Sequence, residues 1–202
     1  MEGCEVIGCD PGRLEWLREQ GFCMLTLTWN ADNALAGWHG SALGLTPRGR
    51  DFVREAQRLG LRIDVSHLSE AAFWQLMDCT QAPILASHSN CRALCGYTRN
   101  LMDDQLRALA QTGGTVGLNL YPPFLGGRAD FDTLRAHLEH MLTFCGEDHV
   151  ALGGDLDGCD ELARGFTDVS SWASFYAYLQ AAGYPADLLD RIFFRNLLQL
   201  LQ

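Results

Sequence analysis

LRIDVSHLSEAAFWQLMDCTQAPILASHSNCRALCGYTRN, residues 61–100, is the stretch whose reading decides the architecture. Two short apolar runs, residues 61–66 and 83–87, each lead into a histidine, His67 and His88. Between them Ser69 suits a helix N-cap, and Phe73, Leu76, Met77 and Thr80 recur at helical spacing. Strand, helix, strand in that length is a βαβ unit, whose strands run parallel as neighbours. The two imidazoles then leave the same end of adjacent strands, roughly 4.8 Å apart. Both can reach one metal ion at ligand distances of about 2.0–2.1 Å.

Working outward, the same alternation continues. Residues 23–28, 115–120 and 150–154 read as three more strands, making about five in all. Helices are expected after Asp10-Pro11, from Thr46-Pro47 to Gly60, from an Asp103 cap to Gly113, and over 130–145. Two further helices are expected near the C-terminus, the first carrying Phe175 and Leu179 and the second Leu189 and Ile192. Residues 30–44 and 121–127 read as loops. Strands alternating with helices specify an α/β fold with a parallel sheet. Trp29, His67, His88, Asn119 and Asp155 all follow strands, the layout of a TIM-like (β/α)8 barrel's active face. Five strands do not close such a barrel, so the expectation is a single, partial barrel domain over 1–202, incomplete at its N-terminus.

Composition excludes some partners. The 15 basic and 25 acidic residues give a net charge of −10, which argues against nucleic acid and anionic membrane surfaces. The eight cysteines are scattered, with no CxxC pair, and suit buried thiols in a reducing compartment. No apolar run reaches about 18 residues, so membrane insertion is not expected, and the localisation expected is cytoplasmic.

Other polar groups divide by context. Asp155, in GGDLDG, follows a strand and can ligate a metal or relay a proton, although Asp-Gly also favours a plain turn. Arg99 can clamp a carboxylate bidentately or lie solvated on the surface, and both remain open. His137 and His140 are expected to face solvent, and His149 to mark the N-terminal end of a strand. Asp103 and Asp104 favour a helix start.

DVSHLS, PILASHSN, RNLMDDQLRALAQTGGTVGLN and DHVALGGDLDG, in this order and spacing, resemble the membrane (renal) dipeptidase family of the amidohydrolase superfamily. Glu2-Gly3, LTLTWN, GLTPRGRDFVREAQRLG and the closing RNLLQLL match as well, so the resemblance runs along the whole chain. It implies a metallopeptidase, usually with two zinc ions, that hydrolyses dipeptides. It also implies roles: Glu2 bridging the metals, His67 and His88 binding the second one, Asp155 handling the proton, and Arg99 holding the substrate's free carboxylate. Two cations about 3.5–4 Å apart would polarise the carbonyl and acidify water.

Two departures qualify this. The family's His-x-Asp pair has no counterpart, so at most one zinc is expected here. Trp29 stands where some members have a histidine after LTLT. The missing strands lead us to expect self-association or a separate N-terminal piece as partner. Alternatives are another amidohydrolase-type metal hydrolase, such as a deacylase or lactonase, and a non-catalytic scaffold.

Overall fold

Parallel strands need crossover helices, and the helix starts written into this chain supply them. In the computed structural model, which describes residues 1–201, Met1–Ala86 and Ser87–Leu200 form two compact units. Five strands are present among the described residues, each parallel to the partner it pairs with.

The first unit opens with Met1 beside a strand. The Met1 ammonium donates to Met24 O at 2.9 Å, and Thr26 N donates to Met1 O at 3.0 Å. A 3-10 turn covers Cys4–Ile7. Asp10 does act as a cap, accepting from Gly12 N, but the turn it starts at Pro11–Arg13 is 3-10, and α1 follows at Leu14–Glu19. Leu14 and Leu17 are buried, whereas Trp16 stays half exposed. β1 is Met24–Thr26. In α2, Pro47–Arg58, the Thr46 hydroxyl accepts from Gly49 N and Phe52, Val53 and Ala56 face inward. β2, Arg62–Asp64, pairs with β1 and with β3, Leu85–Ala86, and α3, Glu70–Met77, crosses between β2 and β3. Ser69 caps α3 as its sequence position suggested, its hydroxyl accepting from Ala72 N at 3.0 Å.

The strands are shorter than their apolar runs because side chains take over the backbone groups at their ends. Asn33 Nδ2 donates to Leu27 O, and Thr28 Oγ1 donates to His67 O.

In the second unit α4 spans Asp103–Gln111, with Met102 rather than Asp103 at the N-cap and Gln105 Oε1 accepting from Met102 N. β4, Thr115–Asn119, is wholly buried. It pairs with β5, Val150–Gly154, and the register shifts between Leu118 and Asn119. The loop expected after β4 contains a short helix, α5, at Pro122–Leu125. Its two prolines sit at the first helical positions, where a missing N–H costs nothing. α6 is Phe131–Cys145, capped by Asp130, with Leu134, Leu138, Met141 and Cys145 inward. α7 is Trp172–Ala181. The closing helix is divided into α8, Ala186–Asp190, a π-helical turn at Arg191–Arg195, and α9, Asn196–Leu201.

His137 does not face solvent. It is 1% exposed. Its position three residues after Leu134 and four before Met141 puts it on the apolar stripe itself. Both ring nitrogens are used there. Nδ1 accepts from Cys91 N at 3.1 Å and Nε2 donates to Leu125 O at 2.9 Å. Desolvation holds this imidazole below its ordinary pKa. His140 is half-buried and lies 2.7 Å from Asp103 Oδ1.

Candidate active site

In the first unit, β2 ends in a tight turn that delivers His67. Asp64 Oδ1 accepts from Ser66 N at 2.9 Å, and Leu68 N donates to Val65 O. His67 itself takes a left-handed backbone, φ 73°, which is uncommon for a residue with a Cβ. Its carbonyl accepts from His39 N at 2.7 Å and from the Thr28 hydroxyl, so the turn is braced from two sides. The ring is oriented as well. Nδ1 donates to Asn30 Oδ1 at 3.2 Å, and Nε2 faces Glu2 Oε1 at 2.8 Å. Glu2 is held there by its neighbours, since Gly3 N donates to Thr26 Oγ1 at 2.6 Å and Cys4 N to Leu27 O.

With Nδ1 committed to Asn30, the lone pairs of Nε2 and Oε1 meet across 2.8 Å. Something positive must lie between them, either a proton or a cation. A buried imidazole fixed through its other nitrogen and opposed by a half-exposed carboxylate is a donor set that suits a divalent metal. Glu2 and His67, matched only through the family resemblance and the strand pattern, are therefore brought together.

Asp64 pairs with Leu85, and His67 and His88 each stand three residues beyond their member of that pair.

Within the second unit, His88 is 8% exposed and its Nδ1 lies 2.6 Å from Ser87 Oγ. Its Nε2 is 4.0 Å from Asp155 Oδ2. Two glycines make this packing feasible. A Cβ on Gly117 or on Gly153 would sit 2.1 Å from Ser87 O.

Asp155 also has a left-handed backbone, φ 69°. Its Oδ2 accepts from Asn119 Nδ2 at 3.2 Å, and its Oδ1 lies where a side chain on Gly158 would clash. GGDLDG does form the turn that its Asp-Gly pair favours, since Gly158 N donates to Asp155 O at 3.2 Å. Beside it, burial and the neighbouring Asp155 carboxylate push the Cys159 thiol up to about 12.

Arg99 is no surface residue. It is 3% exposed, its Nη1 donates to Ser89 Oγ at 2.8 Å, and its guanidinium lies 5.9 Å from the Phe124 ring centre. Trp29, by contrast, leaves half its side chain in solvent. The residues missed from sequence are the orienting ones: Asn30, Ser87, Ser89, Asn90 and Gly117. Asn30 and Ser87 carried a signal, as polar residues beside a strand end and next to a candidate histidine.

The fold is α/β, with five parallel strands among the described residues that match TIM-barrel dipeptidases over part of their length. The membrane dipeptidase family, peptidase family M19, matches residues 1–202, and the chain belongs to it. A Klebsiella pneumoniae protein encoded in the pqqA 5′ region is 42% identical over 79% of this chain and 60% of its own length. An uncharacterised dipeptidase of Schizosaccharomyces pombe is 34% identical over 98% of the chain and 51% of its own length. A metallopeptidase of Rhodobacter sphaeroides, solved with a phosphinate mimic of the dipeptide L-Ala-D-Ala, superposes with a TM-score of 0.94. It shares 32% identity, and the match covers 100% of this chain and 61% of that one. The chain spans about half the length of the curated relatives it matches.

Proposed function

We propose that the chain supplies metal ligands, a proton carrier and a carboxylate anchor for the hydrolysis of dipeptides. The observation that carries this reading is the Glu2–His67 contact, with the imidazole oriented by Asn30. From the family resemblance, Glu2, His67 and His88 are the proposed ligands, each offering one donor atom, and zinc is the cation proposed. When bound, the cation supplies Lewis acidity to the peptide carbonyl and to water.

The remaining work falls to side chains. Asp155 accepts the proton that the attacking water loses as its oxygen bonds to the carbonyl carbon. It then returns that proton to the amine nitrogen as the C–N bond breaks. Arg99, a buried cation whose plane is anchored on Ser89, suits the free carboxylate of a dipeptide better than a neutral group. The ligand of the Rhodobacter sphaeroides relative, a mimic of L-Ala-D-Ala, makes such a dipeptide the first substrate to assay. The same reading keeps the protein in the cytoplasm, where its eight cysteines stay thiols.

Metal analysis tests it. Equilibrium dialysis against zinc is expected to load one ion per chain, and His67→Ala and His88→Ala each to abolish that binding. Unchanged stoichiometry in both variants overturns the ligand assignment.

A further inference from the structure

Asp155 reaches its position through a polar network that the proposed chemistry leaves unused. β4 carries its register shift at Asn119, and such irregularities re-aim a side chain out of the regular pleat. Asn119 is fully buried, and so is Asn90. Asn90 grips the Asn119 backbone at both ends: its Oδ1 accepts from Asn119 N at 3.0 Å, and its Nδ2 donates to Asn119 O at 3.1 Å.

The orientation of the Asn119 amide follows from its partners. Tyr121 N–H points at one end of the amide from 2.6 Å, and only an oxygen can accept there, so that end is Oδ1. The other end is then the NH2 group. It donates to Asp155 Oδ2 at 3.2 Å, with His88 O a longer second partner at 3.5 Å. An Asp155 carboxylate on a left-handed backbone is thereby tied at one oxygen by a donor that cannot turn round.

We propose that Asn119, clamped by Asn90, is the positioning residue for Asp155, holding its carboxylate through Oδ2, the oxygen that also lies 4.0 Å from His88 Nε2. This rests on the reading of Asp155 as proton carrier. Gly158 completes the arrangement, because any side chain there would occupy the space at Oδ1.

Two variants separate positioning from packing. Asn119→Ala removes the donor and leaves a cavity. Asn119→Asp keeps the shape and the acceptor for Tyr121 N–H, but turns a second carboxylate oxygen toward Asp155. In the zinc-loaded protein, each is expected to lower kcat for a dipeptide by about 100-fold, the scale of a misplacement near 1 Å, with KM little changed. The ester analogue, whose alkoxide leaving group is far less basic than an amine anion, is expected to lose much less. The isosteric aspartate is expected to be at least as damaging as alanine. Crystal structures of both variants give a readout independent of turnover, and the Asp155 carboxylate is expected to have rotated away from residue 119. An unmoved Asp155 in both structures overturns the inference, as do equal losses on amide and ester. A wild-type protein that binds zinc but hydrolyses no dipeptide overturns the proposed function instead, and the structures then decide the positioning role alone.

Discussion

Replacing Gly153 by Ala should damage both stability and metal binding, and the contacts set the scale. The added Cβ would lie 2.1 Å from Ser87 O, 2.9 Å from His88 Cα and 3.1 Å from the Gly117 carbonyl carbon. All three are backbone atoms, so no side chain can swing aside, and the strand end must open by about 1 Å to relieve the contact. Overpacking of this kind costs about 1–3 kcal/mol. Taking about 2 kcal/mol, a chain of this length should lose about 4–8 °C in Tm. Because the displaced backbone belongs to Ser87 and His88, zinc affinity should fall by about 10- to 100-fold, as it does when groups that orient a ligand are disturbed. Differential scanning calorimetry without metal and competition titration with a chelating dye measure the two effects separately. Gly96→Ala is the control, since nothing lies within 4 Å of its Cβ position and its φ is not left-handed. If Gly153→Ala melts with the wild type and binds zinc equally well, the close approach is not what seats His88, and the reasoning fails.

His137 gives a pH prediction. Its folded-state pKa is depressed by burial, so its contribution to stability is complete above the unfolded value, near 6.5, and is lost as pH falls through the folded-state value. Urea unfolding should weaken across that window. His137→Phe should flatten the slope and cost about 1–3 kcal/mol at pH 7.5, because Cys91 N–H and Leu125 C=O lose their partner. A slope unchanged in the variant refutes this. Arg99→Lys should reduce kcat/KM for free dipeptides by about tenfold or more, since an ammonium lacks the planar fork. C-terminally amidated dipeptides should show little change, and equal losses on both would assign Arg99 to holding the Ser89 segment.

What could be read in the sequence was whatever obeys a local period or a local cap. Ser69, Thr46 and Asp130 began helices where their spacing said, and the run into His67 ended as a strand ends. That β2 and β3 run side by side could be read too, because a strand, a helix and a strand in that length make parallel neighbours. The orienting contacts were hidden because they join distant positions: Asn30 meets His67 across 37 residues, and Asn90 meets Asn119 across 29. Arg99 lies in an irregular segment with no period to reveal its burial. His137 departs from the solvent-facing expectation because the apolar stripe of its helix runs through it, and Cys91 N–H and Leu125 C=O meet its ring nitrogens there. The α5 turn falls in a segment expected to be a loop, where two adjacent prolines occupy the first helical positions.

The left-handed backbones of His67 and Asp155 have a consequence for engineering. Each conformation costs a residue with a Cβ about 1–3 kcal/mol relative to a relaxed one, and glycine avoids most of that. A procedure that ranks substitutions by folding energy alone would write glycine at both positions, and its products would fold at least as well. It would thereby delete one proposed metal ligand and the proposed proton carrier. Any campaign to make this protein more heat-resistant therefore has to freeze these two positions before it begins.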